Sequence, residues 1–256
     1  MGSSHSTHAT PQLPTGLAKR GMPPVLQVKL KHSWSRLTAT VNEPGASPSY
    51  CLTLPEGWYG SMTLRDGPLE TDTPIAHCDM KGKMQLENVI SLPPPTTGDA
   101  RTGKEILRYK WGKREKYWFA MDVGEGSSRR VEKFEWRRSK GKEVRKLGQG
   151  SFGWKLVRLS PGDCEEDRRH EKSEDEGEEE AEGDGEEVAD AVTSDGKEVV
   201  AVWANASLRR MSMTNVGELK LCGAGATGDF GLRWGLMVVM TCISMWQKEN
   251  AAAVAA

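Results

Sequence analysis

Thirteen basic residues interleaved with aromatic ones are the part of this sequence best suited to chemistry. Lys110, Lys113, Arg114 and Lys116 precede Tyr117-Trp118-Phe119, and Arg129, Arg130 and Lys133 precede Phe134-Glu135-Trp136-Arg137-Arg138. Lys140, Lys142, Arg145 and Lys146 follow in what reads as a turn-like segment. Ammonium and guanidinium groups offer only hydrogen-bond donors, so their natural partners are phosphate and carboxylate. If the segments are strands, alternation predicts Trp118, Phe134 and Trp136 inward and the adjoining cations outward on one face. Such a face attracts anionic lipid head groups or nucleic acid, at roughly 1 kcal/mol per basic residue near an anionic membrane. The competing reading is a solvated surface partly neutralised by acidic residues of the same chain.

Other chemistry is sparsely provided. Gly223, Gly225 and Gly228 form a G-x-G-x-x-G pattern with Glu249 about twenty residues on, the layout of a dinucleotide fingerprint. The chain ends soon after, so no βαβ unit can close, and a tight turn of small residues is the preferred reading. Gly148-Gln149-Gly150-Ser151-Phe152-Gly153 has the spacing of a kinase glycine-rich loop, and Asp229-Phe230-Gly231 spells the kinase metal-binding triplet. Trp203 stands where the phosphate-pairing lysine belongs and no HRD-type loop lies between. A hairpin turn and the entry to a helix are expected instead. His5, His8, His32, His77 and His170 are scattered, with no G-x-S-x-G serine and no HExxH. His77-Cys78-Asp79 alone has local ligand character. Cys51, Cys78, Cys164, Cys222 and Cys242 lack metal or CxxC spacing, so reduced thiols are expected. An enzyme is the weaker class, with no catalytic residue, metal or cofactor expected.

Charge is unevenly distributed. Residues 163–187 hold 15 Asp/Glu against three basic residues, so they carry -12 and the rest about +11 against the overall -1. With no aromatic and almost no apolar residue, 163–187 cannot offset the entropy of ordering, and 163–194 reads as a disordered insert in the fold. Residues 1–23 read as a disordered head, in which Met1-Gly2-Ser3-Ser4-His5-Ser6 matches a myristoylation pattern at Gly2. No apolar core for a signal peptide is seen, so a reducing cytoplasmic location is expected, peripheral at the membrane if lipids are bound, with the nucleus left open.

The elements that must position these residues are short β-like runs. Alternation and turn signals predict strands over Val25–Lys31, Trp34–Val41, Tyr50–Leu54, Ser61–Arg65, Ile75–Cys78, Met84–Leu92, Glu105–Lys110, Lys116–Asp122, Val131–Arg137, Gly153–Leu159, Glu198–Ala204 and Glu218–Cys222. Val199–Trp203 reads as a strand buried on both faces. After them comes Trp234–Trp246, apolar on almost every face, with Trp234, Leu236, Met237, Val238, Val239, Met240, Ile243 and Trp246 as its core residues. A helix of that length rises roughly 20 Å, too short for a bilayer core of about 30 Å, so a buried helix is predicted and no transmembrane segment. The expected architecture is mainly β, a closed or nearly closed barrel of about twelve strands around that helix, with a β-sandwich carrying a packed C-terminal helix as the alternative. A single domain over 24–248 and a frayed Ala-rich tail over 249–256 complete it.

The stretches Lys113–Asp122, Phe134–Gly148, Gly153–Leu159, Gly196–Ala204 and Ala226–Met240 resemble an uncharacterised family of filamentous-fungal proteins. The order of many strands and then one all-apolar helix, across residues 25–248, is similar to the tubby C-terminal or LURP-one-related fold. The acidic insert and Gly223–Gly228 have no counterpart in that fold. The resemblance implies a non-enzymatic barrel whose tubby relatives bind phosphorylated inositol lipids through basic surface residues, none of which maps onto a position here. Expected partners are therefore anionic lipid head groups or an acidic partner at the basic face. The alternative is a protein-interaction or nucleic-acid-associated module, in which the acidic tract contacts basic proteins.

Overall fold

The computed structural model describes residues 10–32, 37–47, 49–81, 87–95, 103–110, 115–124, 126–148, 152–160, 192–206 and 215–255. Gly2, Lys113, Arg114 and the acidic run 163–187 lie outside the described residues. Twelve antiparallel strands form a closed barrel: β1 (Val25–His32), β2 (Leu37–Asn42), β3 (Tyr50–Leu54), β4 (Met62–Arg65), β5 (Pro74–Lys81), β6 (Glu87–Ser91), β7 (Lys104–Lys110), β8 (Lys116–Val123), β9 (Arg130–Ser139), β10 (Gly153–Leu159), β11 (Val199–Asn205) and β12 (Asn215–Leu221). Each strand pairs with its sequence neighbours, and β12 closes on β1 with Leu26 opposite Leu219. Closure leaves no unpaired edge to recruit another chain.

Alternation decides which side chains enter. In β8, Tyr117, Phe119, Met121 and Val123 are buried while Lys116, Trp118, Ala120 and Asp122 are more exposed. Val199 to Ala204 is buried throughout because both faces of β11 are covered. Ala201 and Trp203 join the main core, whereas Val199, Val202 and Ala204 pack against Val144 of a helix lying outside the barrel. That helix, α2 (Lys142–Gly148), occupies the segment expected to be turn-like. Val144 and Leu147, three residues apart, supply its apolar stripe.

The C-terminal helix α4 (Gly231–Ala255) fills the barrel. Leu236, Met237, Val238, Met240 and Ile243 are fully buried, and Trp234, Val239 and Trp246 nearly so. Three fully buried polar residues, Thr241, Ser244 and Gln247, interrupt its apolar surface, and each bonds a surrounding element. Trp136 Nε1 donates to Thr241 Oγ1 at 3.0 Å, the Asn88 amide donates to Ser244 Oγ, and Gln247 Nε2 donates to the carbonyls of Gly57 and Gly60, both at 3.1 Å. These bonds fix the rotation and depth of a helix whose apolar faces are otherwise interchangeable. Among the described residues, no helix is long and apolar enough to cross a membrane.

Helix α4 gives the barrel two distinguishable rims. At the entry rim Arg233 bonds Glu105, near the start of β7. At the exit rim the Glu249 carboxylate accepts bonds from Trp154 Nε1 at 3.1 Å and Asn205 Nδ2 at 3.3 Å.

Several boundaries differ from expectation. Residues 10–23 are part of the fold. Their helix α1 (Thr15–Arg20) buries Leu17 completely, the Gln12 amide donates to the Pro74 carbonyl, and Arg20 pairs with Asp66. Thr193 and Ser194, assigned to the disordered insert, belong to a turn in which Thr193 N donates to Lys197 O at 2.8 Å and Gly196 takes φ +75°. The Ala-rich tail continues α4 to Ala255, with Ala251 buried and its carbonyl accepting a bond from the Tyr59 hydroxyl.

Candidate anion-binding face

Strand register assembles the basic residues. Lys110 stands opposite Lys116, Lys116 opposite Arg137, and Arg137 opposite Lys155. Directly paired residues share a face, so four cations form one transverse row on the outside of β7–β10, spanning about 15 Å at the usual strand spacing. The row lies near the exit rim. Arg138 and Lys140 follow it, and Lys142, Arg145 and Lys146 project from the exposed side of α2, whose buried side is held by Val144. Lys155 and Arg108 were missing from the candidate set. Their place beside it depends on register, which no local pattern encodes.

One row further in, Trp118 faces outward, contrary to the inward placement expected of it. Phe134 and Trp136 do point inward and are fully buried. The alternation rule holds, but Tyr117 and Phe119 take the inward positions of β8. Trp118 is held instead between two cations, with the Arg108 guanidinium 4.8 Å and the Lys133 ammonium 4.7 Å from its ring.

Carboxylates limit the charge of this face. Buried Glu135 accepts from Arg137 Nε at 2.7 Å and lies 3.6 Å from Lys116 Nζ. Glu143 of α2 lies 3.8 Å from Lys155 Nζ. Asp195, in the turn beyond the acidic insert, accepts from the Arg137 guanidinium at 2.9 Å. Burial by itself would raise the Asp195 carboxyl, but bonds from Thr193 and Arg137 and the charges of Arg137 and Lys197 hold it well below the usual carboxylate range.

The expected site is not one patch. Arg129 and Arg130 sit at the entry rim, where Arg130 pairs across from Val123, and Arg137 lies seven residues along β9, roughly 23 Å away. Arg129 bonds Asp122 at 2.9 Å and Arg130 bonds Glu132. Glu132 also holds Arg158, whose third contact is Glu198 at 3.2 Å.

Another cationic site closes the exit rim. Lys248 of α4 places its ammonium 3.4 Å from the Tyr109 ring centroid and 5.4 Å from that of Tyr117. Burial lowers the Lys248 amine to about 8, partly offset by Glu115. Burial, with Glu115 adding to it, pushes the Tyr109 phenol up to about 12.

The remaining motifs resolve structurally. Gly223–Gly228 contains a short helix α3 (Gly223–Thr227) on the way to α4. A Cβ on Gly225 would stand 2.3 Å from the Val200 carbonyl and 2.6 Å from the Trp234 ring, so close packing accounts for this glycine. The Ala224 amide, which a phosphate would use, donates to Glu198 Oε1 at 2.8 Å. Asp229-Phe230-Gly231 is the entry to α4, with Phe230 edge-on to Phe134 and tilted against Trp234. Of the Gly148–Gly153 stretch, expected as a hairpin turn, residues 149–151 lie outside the described residues; Gly148 ends α2, Gly153 begins β10, and a Cβ on Gly153 would meet the Trp203 carbonyl at 2.1 Å. The His77-Cys78-Asp79 triplet splits across the sheet. Cys78 points inward, where burial pushes its thiol up to about 12. His77 lies between Thr63 Oγ1 at 2.8 Å and Asp79 Oδ1 at 3.1 Å. Among the described residues no three His, Cys, Asp or Glu side chains are placed to hold a metal, and Cys51, Cys78, Cys222 and Cys242 are free thiols.

Comparison with protein-family models, curated proteins and solved structures returned no match to this chain.

Proposed function

We propose that this protein is a non-enzymatic β-barrel module that binds anionic membrane lipid, phosphoinositide-like head groups in particular, through the outer face of β7–β10. The observation that carries this reading is the row Lys110, Lys116, Arg137 and Lys155, continued by Arg138, Lys140 and the basic residues of α2. A row of fixed cations about 15 Å long matches a surface of repeated negative charge better than one small ligand. Trp118 supplies an amphipathic ring of the kind that settles at a membrane interface. A barrel whose centre is occupied by its own buried helix favours recognition from outside. The tubby-like resemblance implies the same layout and the same class of ligand.

Liposome co-sedimentation tests the proposal. Vesicles containing phosphoinositide should sediment the protein at physiological salt, neutral phosphatidylcholine vesicles should not, and Lys110→Glu with Lys140→Glu should abolish sedimentation. Equal binding to both vesicle types defeats the reading. The Asp195 carboxylate docked on Arg137 favours a second reading, in which an acidic protein segment occupies the face. That reading predicts an acidic peptide bound without vesicles, and loss of that binding in the same charge-reversal variant.

A further inference from the structure

We propose that a separate cavity at the entry rim binds a small amphiphile with an oxyanion head, a carboxylate or a phosphate monoester. The cavity, open to solvent, holds about 260 Å³ between the start of β7, the end of β8, the connection into β9 and the first turn of α4. Each flanking element contributes charge. Lys104 comes from β7, Arg129 from the β8–β9 connection and Arg233 from α4. Facing them are two carboxylates, Asp122 at 2.9 Å from Arg129 and Glu105 at 3.3 Å from Arg233. Three cations against two carboxylates leave one positive charge, which a single anionic head would neutralise.

A polar demand points the same way. Arg233 Nε is buried without a hydrogen-bond partner, so the guanidinium beside the cavity keeps one donor unused. The rest of the lining is apolar. Pro95, Ala120 and Met121 form part of the wall, and Val131 stands at its edge with 65% of its surface exposed. A β-branched side chain that exposed gains from contact with a hydrocarbon group. The volume falls just below the roughly 300 Å³ at which drug-sized pockets begin, so the ligand is a fragment and not a two-chain lipid. This cavity is therefore chemically distinct from the cationic row at the other rim.

Isothermal titration calorimetry of the full chain with hexanoate, butyl phosphate, inorganic phosphate and hexanol tests the proposal. Hexanoate or butyl phosphate should bind saturably at one site, and the tighter of the two identifies the head group. Hexanol and inorganic phosphate, each lacking one half of the amphiphile, should bind at least about tenfold more weakly, equivalent to about 1.4 kcal/mol. Lys104→Ala with Arg129→Ala should weaken the amphiphile about tenfold or more. Lys110→Ala with Lys140→Ala should leave its affinity unchanged. Val131→Ser, an exposed change that spares the fold, should weaken it severalfold and keeps the test decisive if circular dichroism shows the double variant unfolded. Failure of both amphiphiles to saturate at millimolar concentration overturns the proposal. So does inorganic phosphate binding as tightly as butyl phosphate, or affinity unchanged in Val131→Ser.

Discussion

Arg137 makes the most demanding set of contacts on the cationic face. Its guanidinium bonds both Glu135, which is almost wholly buried, and the more exposed Asp195. Arg137→Ala leaves Glu135 with the Lys116 ammonium, 3.6 Å away, on that face, so the variant should lose about 1–3 kcal/mol of stability in urea titration. Lys110→Glu, at an exposed strand end, should change stability by less than about 0.5 kcal/mol. The contrast separates a residue that holds a buried carboxylate from one at an exposed strand end. Lys248 gives a prediction in pH. Its amine is lowered from 10.5 to about 8, so the folded state binds fewer protons than the unfolded one between those values. Its destabilising effect is fully present below pH 8 and is relieved as pH rises toward 10. Denaturant midpoints of wild type and Lys248→Met should show the variant's relative stability falling over pH 8–10. A difference independent of pH would mean that the amine is not buried as described.

At the scale of the element, α4 is positioned by two kinds of force. Apolar burial drives it into the barrel, while Thr241, Ser244 and Gln247 choose one orientation by bonding Trp136, Asn88 and the carbonyls near Gly57. Val238→Asp places an unpaired carboxylate where exposure is zero and should prevent folding, read as loss of the cooperative thermal transition. Thr241→Val removes the acceptor of the Trp136 indole and should cost about 1–3 kcal/mol while the barrel still forms. The glycines before α4 divide in the same way. Gly225→Ala drives a methyl into the Val200 carbonyl and the Trp234 ring and should cost about 1–3 kcal/mol. Gly228, at φ +84° with open space around it, should cost about 1–2 kcal/mol on change to Ala through backbone strain alone. Thermal melts of the two variants rank these costs.

Across the whole molecule, closure of β1 on β12 joins residues near 25 to residues near 220, and α4 cannot be enclosed until the wall around it exists. Late, long-range pairing of this kind predicts slow folding in stopped-flow measurements, with tryptophan burial and strand formation coinciding. The charge layout is also a property of the whole. Described cations concentrate beside the exit rim, where Glu135, Glu143 and Asp195 offset part of their charge, and at the entry rim Arg130 pairs with Glu132 and Arg158 with Glu198. If the exit-rim face meets a membrane, raising salt should weaken vesicle binding steeply, since charges exposed on that face are screened within about 8 Å at physiological ionic strength.

The twelve strands and the buried helix were legible in the sequence because burial on one face imposes a period of two on strands, and burial on all faces leaves a helix uniformly apolar. The same periodicity separated Phe134 and Trp136 from Arg137. It could not decide the phase of β8, where Tyr117-Trp118-Phe119 offers aromatic residues on both faces, and only packing against the core put Trp118 outside. Helix α2 was hidden because a short amphipathic turn becomes helical only when β11 offers Val199, Val202 and Ala204 to its stripe. Head residues 10–23 read as too polar to order, yet Leu17 is buried in the core and Met22 packs against it. Register is what tertiary structure added to the site. The sequence by itself determined that cations alternate with aromatics along each strand. Only the pairing of four strands decided that Lys110, Lys116, Arg137 and Lys155 share one row while Arg129 lines a cavity at the opposite rim, because side-by-side position in a sheet is fixed by hydrogen bonds between residues distant in the chain.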